Sequence, residues 1–193
     1  MINRAWAVDV EGSGNSPPEI VELSIAEVDD FKLTGKRKTW RVRPEHGISP
    51  IAARIHGIHE RDVEDAPSME DVADDILEWL GNDPIIGHNV RVELDTISQA
   101  MTEWSPSAAY DTLKLARRLL PEQEKHGLGP LGKALKIDII AADITGGQSH
   151  NAEYDAVLSA LLLKHLLDNL TDADRKAELE ACDTTRNTQG SLL

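Results

Sequence analysis

The stretch Ala5-Trp6-Ala7-Val8-Asp9-Val10-Glu11-Gly12 constrains this chain more than any other. Its first half is an unbroken apolar run, which reads as a strand buried on both faces. Asp9 and Glu11 then interrupt the run with a single Val between them. Residues two apart on a strand point to the same side, so both acids converge on one patch as the strand gives way to Gly12 and Gly14. Two negative charges at the end of a core strand are costly unless a cation sits between them. A hard divalent ion with oxygen ligands meets that need most simply. The acid-x-acid pattern is not enough by itself, because it recurs at Glu27/Asp29, Glu60/Asp62, Asp62/Glu64 and Glu153/Asp155. On this stretch alone, the alternative that Asp9 and Glu11 merely mark a strand end stays open.

A chain of 193 residues suffices for one domain with a substantial core. No segment is apolar over the length of a bilayer, and no signal peptide is read ahead of Ala5, so no membrane association is expected. The single cysteine, Cys182, rules out an internal disulfide and suits the cytoplasm. A net charge of −14 argues against a protein that coats duplex nucleic acid by bulk electrostatics, but not against an enzyme that meets phosphate through metal ions. The acids concentrate between Glu60 and Asp83, where Arg61 is the one base, and this block reads as a solvated helix face. Bases gather at Lys36-Arg37-Lys38 with Arg41 and Arg43, and again at Lys114, Arg117, Arg118, Lys125, Lys133 and Lys136. Either group can line a run of phosphates or be plain solvated surface.

After the first strand, residues 19–28 alternate as a second strand, Asp29-Asp30 and Thr34-Gly35 mark a turn region, and residues 38–43 read as a third strand closed by Pro44. These three predict an antiparallel meander. Ser49-Pro50 opens a helix, and Ser68 caps a longer one in which Val72, Ile76, Leu77 and Leu80 keep helical spacing. Residues 84–89 form a short buried strand, followed by a helix from about Val92 to Met101. Ala108-Ala109-Tyr110 gives another brief strand, and Asp111 opens a helix stopped by Pro121. Residues 128–135 are a short helix, 139–149 a loop containing Gly146-Gly147, and 151–170 the longest helix. Thr171 caps a polar final helix, and the end frays from Thr184. This order predicts an α/β domain with helices packed on a mixed five-stranded sheet. The body spans residues 1–170, and residues 171–193 form a C-terminal helix and frayed tail.

Three further places set acids or a histidine at element boundaries: His88 to Asp95, Tyr110-Asp111, and His150 to Asp155. Together with Asp9 and Glu11 they resemble the DnaQ-like, or DEDDh, family of 3′–5′ exonucleases. That family's first motif, a strand ending Asp-x-Glu followed by Thr and Gly, is matched by Asp9-Val10-Glu11-Gly12-Ser13-Gly14. Its second, His-Asn-x-x-Phe-Asp, is matched by His88-Asn89-Val90-Arg91-Val92-Glu93, and its third, His-x-Ala-x-x-Asp-Ala, without exception by His150-Asn151-Ala152-Glu153-Tyr154-Asp155-Ala156. The text between them, including Arg43-Pro44, Ile48-Ser49-Pro50, Ile55-His56-Gly57-Ile58 and Leu115-Ala116-Arg117-Arg118-Leu119, is similar to the exonuclease X branch. The resemblance runs from about Trp6 to Leu167. Two departures stand out. Glu93 and Val92 replace the Asp and Phe of the second motif, and Gly12-Ser13 replaces the usual Thr-Thr or Thr-Cys of the first. Asp95 lies two residues beyond Glu93, roughly 200° round a helix axis, so Glu93 is taken as the ligand.

The resemblance implies a ribonuclease H-like three-layer fold with helices on both faces of the sheet, and a two-metal phosphodiesterase. Asp9, Glu11, Glu93 and Asp155 would be the metal ligands, enough to hold two Mg²⁺ or Mn²⁺ ions with positions left for water and phosphate. His150 would be the general base, since an imidazole titrates near neutral pH, on a loop that orders when substrate arrives. His88 with Asn89 would satisfy backbone groups at the strand end, and Asp111 would cap a helix. His46, His56, His59, His126 and His165 are read as structural or exposed. The implied substrate is a single-stranded or frayed 3′ end of DNA, gripped by an aliphatic or small wedge, because aromatics are few. The alternatives are an exoribonuclease or oligoribonuclease of the same chemistry, and a weakly active nucleic-acid-binding module.

Overall fold

A computed structural model describes residues 4–186. Strand β1 (Ala5–Gly12) lies at the centre of a five-stranded sheet of order β3-β2-β1-β4-β5. It pairs antiparallel with β2 (Ile20–Asp29), which pairs antiparallel with β3 (Lys32–Arg41). On its other side β4 (Ile85–Gly87) and β5 (Ala109–Asp111) run parallel to it. The expected mixed sheet is present, and β1 sits where its sense changes.

Helices cover both faces. One face carries α3 (Met69–Leu80) and α4 (Arg91–Ala100), which bury Ile76, Leu80 and Ile97 against Trp6, Val8 and Ile85. The other carries α5 (Thr112–Leu119), α6 (Leu128–Leu135), α7 (Asp138–Thr145), α8 (Ala152–Leu167) and α9 (Asp172–Cys182). There Leu115, Leu131, Leu158 and Leu162 pack on Ala5, Ala7 and Ile86. Each of these leucines, fully buried, contributes about 1.5–3 kcal/mol of hydrophobic stabilisation. Two short helices, α1 (Pro50–His56) and α2 (Glu60–Val63), lie between β3 and α3.

Parity along β1 places the acids. Trp6 and Val8 belong to the α3–α4 face, whereas Ala5 and Ala7 belong to the α8 face. Counting on by twos, Asp9 and Glu11 leave β1 on the side where α8 begins. The small Ala5 and Ala7 let α8 pack close to the strand.

Three readings need correction. Residues 139–149 are not all loop, because α7 occupies most of them and ends at Gly146 in the left-handed region (φ 68°). Its N-cap position is Ile137, which offers no side-chain cap, and β-branched Ile139-Ile140 follow Asp138, so the start is weakly signalled. Thr34-Gly35 is not the hairpin turn. The chain reverses at Asp30-Phe31, both with positive φ (44° and 63°), and Gly35 (φ 91°) sits inside a longer β3 facing a register shift at residues 26–28 of β2. The end does not fray from Thr184. That residue is 5% exposed and its N–H donates to the Ala109 carbonyl at 2.8 Å, while Leu179 and Cys182 of α9 join the core. The rest of the expected tail, residues 187–193, lies outside the described residues.

Candidate active site

The site is built at one end of the sheet, where β1, β4 and β5 finish. Asp9 and Glu11 come from β1, and the register sets Glu11 opposite Glu22 of β2. After β1 the chain turns through a loop closed by Ser13, whose Oγ accepts the N–H of Glu19 at 3.0 Å. Ser13 is therefore fully buried and faces its own loop, not the cleft. Gly14 has φ 73°, and a Cβ there would meet Ala52 Cβ at 2.8 Å and Ser49 Oγ closer still. Only glycine lets α1 press this near to the end of β1.

Asp155 stands in the first turn of α8. Asn151 caps that helix, its Oδ1 accepting the Tyr154 N–H at 3.1 Å. One residue earlier His150 takes φ 65°, which turns the chain so that its backbone N–H donates to Asp155 Oδ2 at 2.8 Å. The His150 side chain is exposed, and its ring nitrogen, a Glu11 oxygen and an Asp155 oxygen all lie within 4.8 Å of one another. Beyond β4, Asn89 (φ 69°) turns the chain into α4, whose first turn carries Glu93. Glu93 is 6% exposed, and its Oε2 has no hydrogen-bond partner. Asp95 is exposed and pairs with Arg91 at 2.8 Å, away from the cluster.

The electrostatics follow from this convergence. Burial, then repulsion from Asp155 and Glu22, pushes the Glu11 carboxyl up to about 7. Burial, reinforced by the charges of Asp111 and Glu11, pushes Glu93 up to about 8. Asp9 is raised by burial and by the charges of Glu93, Asp155, Glu11 and Glu22. Burial raises Asp155 as well, although the His150 N–H opposes it. Among the described residues no cation pairs with any of these four. An oxygen-only donor set with one buried, orphaned oxygen fits hard divalent cations. Asp9, Glu11, Glu93 and Asp155 are the groups that would hold them.

The neighbouring polar residues are satisfied. Asp111 caps α5 through Oδ1, which accepts the N–H groups of Leu113 (2.9 Å) and Asn89 (3.0 Å). The His88 ring meets Thr112 Oγ1 at 3.0 Å and the His126 carbonyl at 2.8 Å, and burial lowers its pKa. Two features escaped sequence reasoning. Glu22, 3% exposed, lies beside Glu11 and is held by Arg41, whose Nε donates at 3.0 Å. Its signal was the cross-strand register, which a sequence does not print. The cleft itself, of roughly 340 Å³, is walled by His88, Leu128, Gly129, Pro130 and Ser149 around Asp9, His150 and Asp155. Larger concavities among the described residues, of 680 Å³ at α9, 630 Å³ between β2 and α3 and 460 Å³ at α2, contain none of these acids.

Comparison with known proteins agrees with this arrangement. The family model for RNase_T, described as exonuclease, matches residues 7–163. The PolC-type DNA polymerase III of Oceanobacillus iheyensis is 32% identical over 89% of this chain, which spans only 12% of that protein's length. The DNA polymerase III subunit epsilon of Buchnera aphidicola subsp. Schizaphis graminum is 29% identical over 84% of this chain and 72% of its own. Among solved structures, exonuclease X in complex with 5′ overhanging duplex DNA superposes with a TM-score of 0.72 at 30% identity, covering 91% of this chain and 98% of that one. The chain belongs to the exonuclease family, in its DnaQ-like 3′–5′ group with the ribonuclease H-like fold.

Proposed function

We propose that this chain is a metal-dependent 3′–5′ exodeoxyribonuclease that releases nucleoside monophosphates from the 3′ end of a single or frayed DNA strand. The observation that carries the reading is the convergence of Asp9, Glu11, Glu93 and Asp155, from three separate elements, with no cation paired to them among the described residues. Mg²⁺ or Mn²⁺ bound there would supply an activated water and stabilise the departing 3′ oxygen. His150 takes the proton of the attacking water as the bond between phosphorus and the 3′ oxygen breaks. The hydrogen bond from the His150 backbone N–H to Asp155 ties the residue that carries the imidazole to one of the carboxylates. Glu93 reaches the cluster from α4 with one methylene more than an aspartate has. DNA is favoured over RNA because the relatives include DNA polymerase components and exonuclease X with DNA. A cytoplasmic location belongs to the same reading, supported by a single buried cysteine. No helix among the described residues is long and apolar enough to cross a membrane.

The test is digestion of 5′-labelled DNA and RNA strands of matched sequence, side by side, with Mg²⁺, with Mn²⁺ and with excess chelator. The expected result is stepwise shortening from the 3′ end of the DNA, faster than of the RNA, and none in chelator. Faster shortening of the RNA would replace the substrate, and full activity in chelator would refute the mechanism.

A further inference from the structure

The two basic groups visible in the sequence meet different fates in the fold. From Lys36 to Arg41 the bases are answered by acids. Lys38 Nζ bonds Asp75 Oδ1 at 2.8 Å, Arg37 Nε bonds Glu153 at 2.7 Å, and Arg41 is taken up by Glu22. Lys36 stands 3.9 Å from Glu27, whereas Arg43 has only the Glu64 backbone carbonyl, at 3.1 Å. On α5, α6 and the loop between them the pattern is the reverse. Arg118 pairs with Glu178 at 2.8 Å, but Lys114, Arg117, Lys125, Lys133 and Lys136 have no carboxylate partner among the described residues. Across residues 112–136 the acids are Glu122 and Glu124 only.

This same segment is a wall of the cleft. Leu128, Gly129 and Pro130 at the start of α6 face Asp9, His150 and Asp155. The loop ahead of them is stitched to the site, because His126 lends its carbonyl to His88 at 2.8 Å and its ring bonds the Leu120 carbonyl at 2.9 Å. The positive charge of Arg117 is felt at His88. The other flank, between β2 and α3, carries Glu19, Glu45 and Glu70 along its groove against Arg43, with the acids of α3 behind them. A polyanion leaving the carboxylate cluster meets repulsion on that flank and unpaired cations on the α5–α6 side.

We infer that the phosphodiester backbone of the substrate strand, upstream of the nucleotide being removed, runs over the α5–α6 face and is held there by Arg117 and Lys125, with Lys114 and Lys133 beside them. The inference rests on the exonuclease reading and deepens it, since it gives a protein of net charge −14 one local surface for phosphate. A mononucleotide ester is too short to reach this face, whereas a long strand is not.

The experiment compares the doubly reversed variant Arg117→Glu/Lys125→Glu with Lys32→Glu/Lys176→Glu, which changes net charge equally at exposed sites elsewhere. Melting curves check that both fold. Probes are a single DNA strand of about 16 nucleotides, in the range of ordinary single-strand sites, and the p-nitrophenyl ester of thymidine 5′-monophosphate. For the first variant we expect KM for the strand to rise on the order of tenfold with kcat kept. The slope of log KM against log salt should shrink by about 1.4, as expected when two phosphates of a single strand are no longer neutralised by the protein. Cleavage of the ester should be unchanged, and the second variant should match the unaltered protein on both probes. An unchanged KM for the strand, or an equal rise in both variants, would overturn the inference. So would an effect confined to duplex with a recessed 3′ end, which would assign the face to the complementary strand. Failure of the unaltered protein to cleave either probe would instead remove the exonuclease reading itself, and the inference with it.

Discussion

Asp111 ends β5 and Asp9 lies near the end of β1, at the same edge of one sheet, yet the two acids live differently. Asp111 is 2% exposed and accepts backbone N–H groups from both the β4–α4 turn and the first turn of α5. The Asp9 side chain has no hydrogen bond or ion pair among the described residues, and the carboxylates of Glu93, Asp155, Glu11 and Glu22 press on it. The same contrast separates Glu22, held by Arg41, and Asp183, which accepts the Ala109 N–H at 3.0 Å, from Glu11 and Glu93. Partnered buried acids belong to the fold, and their charge is answered within the protein. Unpartnered ones lower stability until something positive arrives, a cost tolerated where function requires it.

The sharpest way to break this comparison is to neutralise one acid of each kind. Asp9→Asn should lower the hydrolysis rate by more than the 10–100-fold or so expected when a residue that merely orients a metal ligand is lost. The same change should raise the melting temperature of the metal-free protein at about pH 8, because it removes one repelling charge. Asp111→Ala should do the opposite to stability, lowering it by about 1–3 kcal/mol as N–H groups lose their acceptor. Kinetics and melting curves on the two variants check both halves. Equal destabilisation by both would erase the distinction.

His150→Ala comes next, with an expected loss of about 10²–10⁴-fold in rate, the usual worth of a general base. Binding of a 3′-ended oligonucleotide in Ca²⁺ should change far less. A rate within threefold or so of the unaltered enzyme would move the base elsewhere.

A smaller effect is the pH dependence of the metal-free fold. The carboxyls of Glu11 and Glu93 titrate at about 7 and about 8 when folded, against 4.5 ordinarily. Between those values the folded chain holds more protons than the unfolded one, so stability falls as pH rises through the window. Asp62, Asp71 and Asp75, which hydrogen bonds hold low, finish titrating beneath it, while His56 and His88, held low by burial, act in the opposite direction up to their ordinary value of 6.5 and offset part of the fall there. In chelator the melting temperature should therefore be several degrees higher at about pH 5.5 than at about pH 8, and Mn²⁺ should close the gap at the higher pH. A flat profile in chelator would mean that burial and mutual repulsion do not raise these carboxyls.

The mildest expectations concern the second motif. Glu93→Asp should keep or raise activity, and Asp95→Ala should alter stability by no more than about 0.5 kcal/mol and leave the rate alone, since Asp95 faces solvent. Loss of activity in Asp95→Ala with an active Glu93→Ala would reverse the assignment.

What was legible in the sequence was local. The apolar run with Asp9 and Glu11 in one parity, the Asn151 cap that starts α8 before Asp155, and the Asp111 cap all follow from neighbours a few residues apart. What was not legible depends on distance along the chain. The neutralisation of β3 requires Arg37 to meet Glu153, 116 residues on, and Lys38 to meet Asp75, 37 residues on. The pairing of Glu22 with Arg41 depends on a register that includes the shift facing Gly35. Ser13 turns inward because its Oγ accepts the N–H of Glu19, six residues on. α7 escaped the sequence because packing of Ala141 and Ile144 sustains it without a side-chain cap at its start.

The central claim is that these four acids are held apart from the protein's own cations in order to bind metal. Titration of Mn²⁺ into the metal-free protein at about pH 8, with free ion counted by electron paramagnetic resonance, tests it most directly. The account predicts about two ions bound per chain, with binding lost or halved in Asp9→Ala and Asp155→Ala and kept in Asp95→Ala. No bound Mn²⁺, or the same binding in all the variants, would contradict it.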